Sequence, residues 1–379
     1  MLRVVVIGAG PSGSVAATLL ARAGLDVTIV ESRPFPRMKV CGEYISPAAT
    51  FILESMIPPH ELIAAGARRV NRMELEVHGQ RRCWKTPDAA WSLSRATLDT
   101  LLLRRAAAAG ASVLQPAAVR SVRYTDERAA ITLADGRVLE SDLVVHADSS
   151  GRHDPAGPIP LATNLLAHKC LLRMPDEPPD TVVMRICPGA YIGTIGVERG
   201  LHTCALVARR DLCRKFENVD AMVATVWPGF HPGMRASPWK SSGVARSRYV
   251  HPGHPRSIRL GNAAAAVDPV GGEGIGLALW AGAQLGAHAK DLAALASSPA
   301  RDHLAALSAL ERKLATAYAQ RIRWRLPVCQ LTGWAVMRPI LVRTLWPLAR
   351  APGLSFAPFY RLTGKASPAS TVIPAPSSR

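Results

Sequence analysis

Two short apolar runs flank a glycine-rich turn and a helical stretch at the amino terminus. Residues 4–31 read VVVIGAGPSGSVAATLLARAGLDVTIVE. Val4 to Ile7 has the unbroken apolar pattern of a buried strand, and Val27 to Val30 repeats it before ending on Glu31. Between them, Gly8-Ala9-Gly10-Pro11-Ser12-Gly13 opens a helix rich in alanine and leucine. Strand, glycine turn, helix, strand and acid in this order predict a dinucleotide-binding βαβ unit. Gly8 permits the tight turn, Gly10 lets backbone approach a pyrophosphate, and Gly13 lets the helix pack on the strand. The helix N-terminus offers free N–H groups and partial positive charge to phosphates. Glu31, 18 residues after Gly13, is placed to accept hydrogen bonds from ribose hydroxyls. A secretory signal does not fit, because Arg3 is the only charge ahead of the run and glycines interrupt it.

Further along, Met73, Leu75 and Val77 alternate with Glu74, Glu76 and His78, and a His78-Gly79-Gln80 turn follows. Val182 to Ile186, Ala190 to Val197 and Leu201 to Ala208 predict an antiparallel meander, with Glu198-Arg199-Gly200 as a hairpin turn. Ser94 to Ala109 predicts a helix, and Ser257 to Leu260 a short strand. Pro269 to Gly274 is too glycine-rich for core, and an apolar helix starts at Ile275. The expected fold is α/β (α+β overall): a Rossmann-type domain of residues 1–68, 93–156 and 245–298, interrupted by an antiparallel-sheet substrate domain of residues 69–92 and 157–244. Residues 299–365 form a basic helical region, and residues 366–379, rich in Pro, Ser and Ala, a disordered tail.

Four motifs give the chain a family resemblance. They are the amino-terminal unit; Glu31-x-Arg33 with the later Cys41-Gly42-Glu43…Ser46-Pro47; Ser94-Arg95…Asp99 with Gly110-Ala111-Ser112-Val113; and Gly261-Asn262 through Asp268-Pro269-Val270-Gly271-Gly272-Glu273-Gly274-Ile275. Together they resemble the FAD-dependent p-hydroxybenzoate hydroxylase-like group, most of all its geranylgeranyl reductase branch. The resemblance implies FAD as cofactor, a sheet roofing the flavin, and no separate Rossmann domain for a transient NAD(P)H or other electron donor; no second GxGxxG occurs. The expected cofactor contacts are Gly8, Gly10, Pro11, Ser12, Gly13, Glu31, Arg33, Cys41, Gly42, Arg95, Val119, Asp148, Gly261, Asn262, Pro269, Gly271, Gly272, Glu273, Gly274 and Ile275. The chain departs from the family at Asn262, where an Asp is usual, and at Asp148-Ser149, where an Asp-Gly pair is usual.

Seven scattered cysteines with no CxxC pair and no metal-ligand spacing predict reduced thiols, no metal and a cytoplasmic location. The net charge of +18 is uneven. After Glu311 no acid occurs, and the last 68 residues carry +11 of it, with Trp324, Trp334 and Trp346 interleaved. Basic, aromatic amphipathic helices predict peripheral contact with the inner face of a membrane. A nucleic-acid partner does not fit the apolar stretches between the charges, and no run is long enough to span a bilayer.

The candidates for chemistry are Cys41 and Glu43. Cys41 is expected to touch the flavin or donate a proton, and Glu43 to orient the loop or relay protons. The expected activity is hydride transfer from reduced flavin to a C=C bond of a small lipophilic substrate. The alternatives are an oxygen-dependent monooxygenase and a non-catalytic flavin protein. The hydroxylases' usual Asn after the glycine loop is replaced near Gly276, and neither a YxWxFP-like nor a halogenase-type WxWxIP-like segment is evident.

Overall fold

Strand β1 (Arg3–Ile7), helix α1 (Pro11–Arg22) and strand β2 (Asp26–Val30) form where the apolar pattern predicts them. The structure is a computed structural model. It describes residues 1–363 apart from Ser247, Pro299, Arg350, Pro352, Leu354 and Phe356, so the expected tail and Lys365 lie outside the described residues. β1 sits between β2 and Leu143–His146 in a five-stranded parallel sheet whose edges are Ser112–Leu114 and Ser257–Arg259. Ile7 lies level with both Val30 and His146, so the strand ends share one edge. Open parallel sheets bind ligands at that carboxyl edge.

α1 covers one face of this sheet and is crossed by the helix Gly274–Ala287. The crossing is close because small residues face each other. A Cβ on Gly282 would stand 2.5 Å from Ser12 O and 2.9 Å from Val15 Cβ. Val15, Leu20, Ile29, Leu98, Leu279 and Leu285 are all buried in the core beneath. Each such side chain contributes about 1.5–3 kcal/mol by leaving water.

The second sheet has eight strands, ordered Lys240–Ala245, Leu161–Arg173, Leu201–Arg209, Ala190–Gly196, Thr181–Cys187, Arg68–Val77, Gln80–Ser92 and Tyr44–Ile45. The meander and both hairpin turns fall where expected; His78 and Gly79 have φ of 50° and 74°. Paired positive φ values give the turn that matches strand twist. The roof is nevertheless not wholly antiparallel. Arg68–Val77 pairs parallel with Thr181–Cys187. Between them the chain passes through the dinucleotide sheet, and a long crossover of this kind joins parallel neighbours. A further difference is a separate three-stranded sheet, Val119–Tyr124, Ala129–Leu133 and Val138–Ser141, which sequence reading did not separate from the Rossmann unit.

Alternate residues of the eight-stranded sheet face two different cores. Cys170, Leu172, Ile192, Cys204 and Leu206 pack on Met222, Val223, Trp227 and Phe230. The opposite face carries Ala167, Ile186, Tyr191 and Val207 against Val270, Cys329, Met337 and Trp346, which come from the glycine loop and the carboxy-terminal helices. Those helices include Arg325–Val336 and Pro339–Ala349. They therefore rest on the loop at residues 269–274; a Cβ on Gly271 would meet Cys329 Sγ at 2.6 Å. The glycine-rich loop was expected to lie outside the core. Instead Val270, Gly271 and Glu273 are buried, because the carboxy-terminal helices cover them.

Candidate functional site

The glycine turn after β1 is built for close approach. Gly8 has φ of 102°, and a Cβ there would stand 2.7 Å from the Ala147 and Asp148 backbone. A Cβ on Gly13 would collide with the Gly8 carbonyl oxygen. Pro11 and Ser12 are buried in the first turn of α1, whose N-terminus at Gly10 has no side-chain cap. Its amide N–H groups are left for an anion. Glu31, at the end of β2, is buried, and its carboxylate accepts from Ala9 N (3.0 Å) and Arg33 N (3.1 Å). Arg33 itself is exposed at the cleft edge.

The second motif meets the first directly. A Cβ on Gly261 would stand 2.7 Å from Ser12 Oγ, so residues 249 positions apart share one wall. Asn262 and Pro269 are exposed there. Gly272, with φ of 64°, abuts the Tyr44 ring, and Gly274 has open space around its Cα. The helix Gly274–Ala287 likewise starts without a side-chain cap. Ser46 Oγ is buried beside it with no hydrogen-bond partner, 2.8 Å from where a Cβ on Gly276 would lie. Two uncapped helix N-termini, an orphaned hydroxyl and cradles of glycine fit FAD. Gly8, Gly10, Ser12, Gly13 and Glu31 would hold its adenosine and pyrophosphate, and the 269–274 loop its ring.

Other expected contacts have different surroundings. The Ile275 side chain belongs to the core under α1, leaving only its backbone near the loop. The Glu273 carboxylate turns to Arg325 at 3.4 Å. Val119 packs with Ile7, Val30 and Ala117 beneath the three-stranded sheet. The Asp148 carboxylate accepts from Gly151 N (2.9 Å) and Ser150 Oγ, within its own loop. Ser149, where the family has glycine, keeps a left-handed φ of 71°. The glycine conformation has outlived the glycine, at a cost of about 1 kcal/mol or more. Behind this loop, Asp154 accepts from Arg259 Nη2 (2.7 Å) and from Ser257 Oγ, tying the segment to the sheet edge. His146 in the same network is held down to about 4, chiefly by burial.

The loop of residues 33–43 closes the cleft from the other side. Arg95 is buried and grips Asp99 through two hydrogen bonds, Nε to Oδ1 at 2.6 Å and Nη2 to Oδ2 at 2.7 Å. A Cβ on Gly10 would be 3.7 Å from Arg95 Nη2, so this guanidinium flanks the turn. It also bonds to the half-buried Cys41. Cys41 Sγ accepts from Glu43 N at 3.4 Å, and Gly42 faces open space. Lys39, missed by sequence reading, donates to Ser149 Oγ at 2.6 Å. Burial, then the neighbouring Arg95 and Arg37 charges, hold its ammonium down to about 8.

Glu43 is fully buried with φ of 59°. It accepts from Arg95 N (2.6 Å), from Lys169 Nζ and from Thr203 Oγ1. Lys169 is buried too. Of the two roles expected for Glu43, this geometry serves loop orientation: the carboxylate pins the loop to the roof sheet. Lys169 had a signal in the sequence, a lone cation in the apolar run Leu165 to Leu172. A charge there requires a buried partner.

Comparison with known proteins now adds to this geometry. The family model for an FAD binding domain, FAD_binding_3, matches residues 1–153. A flavin-dependent halogenase of Armillaria mellea is 36% identical over 130 residues, 32% of this chain and 25% of that protein. A menaquinone reductase of Mycobacterium tuberculosis is 34% identical over 161 residues, 41% of this chain and 38% of that protein. The chain thus spans well under half the length of either relative. The solved structure of the flavin-dependent brominase Bmp2 superposes with a TM-score of 0.68 at 19% identity, over 91% of this chain and 92% of that one. Residues 1–153 thus match an FAD binding domain, and the chain as a whole shares the fold of a solved flavin-dependent protein.

Proposed function

We propose that this chain is an FAD-dependent oxidoreductase that reduces a C=C bond of a small lipophilic substrate, in the manner of geranylgeranyl reductases. The observation that carries this reading is the half-buried Cys41 thiol, bonded to Arg95 on a loop whose Gly42 faces open space at the cofactor cleft. FAD held by the glycine turn and the 269–274 loop, and reduced by NAD(P)H or another two-electron donor, would supply hydride to one alkene carbon. Cys41 gives the proton to the other carbon, so the double bond becomes a single bond, and the thiol regains its proton from solvent. Arg95 holds the thiol in place. The Glu43–Lys169 pair holds the loop. The likeness to a menaquinone reductase supports the reaction class. The likeness to a halogenase favours a second reading, oxygen-dependent chemistry on the same fold.

Anaerobic reoxidation separates them. The reduced holoenzyme is mixed with unsaturated lipids without oxygen, and a saturated product with return of the oxidised spectrum is expected. Reoxidation only after oxygen enters, with a hydroxylated, epoxidised or halogenated product, overturns the reductase reading. Cys41→Ala should keep FAD but slow anaerobic reoxidation about 100-fold. An unchanged rate would reduce Cys41 to packing.

Delivery of such a substrate fits peripheral membrane contact. No helix among the described residues is long and apolar enough to cross a membrane. Leu331, Ile340 and Leu348 are exposed on the two carboxy-terminal helices, the second of which carries Arg343, and Trp324 is exposed in the turn that holds Arg323. Cys329, Met337 and Trp346 of the same region are buried, so truncation would open the core. Replacing Leu331, Ile340 and Leu348 together by Ser should instead lower co-sedimentation with phosphatidylglycerol vesicles severalfold. Unchanged co-sedimentation sinks the membrane contact.

A further inference from the structure

Near the carboxy terminus, the short helix Ala357–Leu362 brings one phenol back to the edge of the roof sheet. Tyr360 is buried there, and its Oη donates to the Asp88 carbonyl of strand Gln80–Ser92 at 3.1 Å. The same carbonyl accepts from Thr86 Oγ1 at 2.9 Å. The buried Thr363 hydroxyl donates to the Tyr360 carbonyl at 3.2 Å and closes the end of the helix. A second phenol meets the first. Tyr44, half-buried on the strand Tyr44–Ile45, shares a hydrogen bond with Tyr360, hydroxyl to hydroxyl. Burial pushes both phenols up; the shared bond adds to this at Tyr44 and opposes it at Tyr360. Tyr44 is therefore the donor and Tyr360 the acceptor. The edge of the Tyr44 ring bears on the flavin loop. A Cβ on Gly272 would stand 3.3 Å from Tyr44 Cδ1 and 3.8 Å from Cε1. Gly272, Tyr44, Tyr360 and Asp88 thus form one line of contacts from the 269–274 loop to the roof sheet.

We propose that Tyr360 is a positioning residue for FAD: acting through Tyr44, it holds the 269–274 loop in the shape that would seat the flavin ring and keeps water from that seat. The direction of the bond makes the two hydroxyls unequal. Without the Tyr360 hydroxyl, Tyr44 is left as a donor with its acceptor gone, and its ring is free to leave Gly272 in search of water. Without the Tyr44 hydroxyl, Tyr360 still donates to Asp88 and little changes. Removing both strands no donor, and the Asp88 carbonyl keeps Thr86 in every case. The inference goes beyond the reductase reading, because it concerns how FAD is seated whatever the flavin then does.

The test is fluorescence titration of the full-length apoprotein with FAD, followed by iodide quenching of the flavin at saturating FAD. Tyr360→Phe should raise the FAD Kd about tenfold and the quenching constant about twofold or more. Tyr44→Phe and the double variant should both stay within about threefold of the native Kd, with native quenching. A Tyr360 that served folding alone would lower the unfolding midpoint of the apoprotein and leave the saturated flavin as shielded as before. Native quenching in Tyr360→Phe, equal Kd changes in the two single variants, or no recovery in the double variant overturns the proposal. Should Tyr360→Phe not fold, Tyr44→Leu decides. It keeps the bond from Tyr360 to Asp88 and removes only the ring beside Gly272, so quenching should rise while the double Phe variant stays native; a shielded flavin in Tyr44→Leu overturns the proposal by itself. No substrate is present in these measurements. A chain that fails anaerobic reoxidation can still pass them, and one that reduces alkenes can still fail them.

Discussion

Glu43→Ala is expected to lower the free energy of unfolding by about 3–5 kcal/mol. The variant leaves the Lys169 ammonium buried with its carboxylate gone, and removes the acceptor for Arg95 N and Thr203 Oγ1. Desolvating a charge without a partner is what makes the effect large. The backbone adds to it, since residue 43 has φ of 59° and loses the interactions that hold it there. Glu43→Leu combined with Lys169→Met should recover much of the loss, because no charge is then stranded. Guanidinium unfolding of the holoenzyme measures both. A loss below about 1 kcal/mol, the scale of an exposed pair, would show that water reaches this site.

FAD affinity is expected to fall as pH rises through about 8. In the free protein Lys39 gives up its proton near that value, because burial and the Arg95 and Arg37 charges disfavour the cation. A bound pyrophosphate favours the cation, so the group's value rises on binding. Below about 8 the ammonium is present in both states and affinity is flat. Above it, binding must take up a proton, and affinity drops by at most about tenfold per pH unit. Lys39→Met should bind FAD about tenfold more weakly at neutral pH and lose this slope. Fluorescence titration of apoprotein with FAD across pH 6–10 gives both numbers. A slope that persists in Lys39→Met would assign the titration to another group.

The glycine turn after β1 was legible because strand, turn and helix repeat one message in the sequence. Gly13 answers to the Gly8 carbonyl five residues earlier, whereas the close approach at Gly8 is to the distant backbone of Ala147 and Asp148. The meander was legible for a similar reason, since alternation and hairpin turns are short-range. What was not legible depends on distant packing. The parallel pairing of Arg68–Val77 with Thr181–Cys187 is decided by where the chain re-enters, not by either strand's pattern. Glu273 and Ile275 sit inside a flavin motif, yet Arg325 claims the first side chain and the core the second. For Glu43 the sequence leaves loop orientation and proton relay both open, because its buried partner Lys169 lies 126 residues later. Arg209, Arg210, Arg214, Arg246 and Arg338, which line one groove beside the helix Arg325–Val336, come from three separate stretches of the chain, so only folding brings them together.

The contact of Gly261 with Ser12, and of Gly282 with the next turn of α1, has a consequence for biosynthesis. The first wall of the cleft leaves the ribosome some 270 residues before the second. Until then the nascent chain exposes the apolar flank of α1, where Val15 and Ala16 are fully buried at the end. Contacts this remote in sequence form slowly and leave a window for aggregation. A flavin seated between the two walls would therefore act as a clasp between segments made some 270 residues apart.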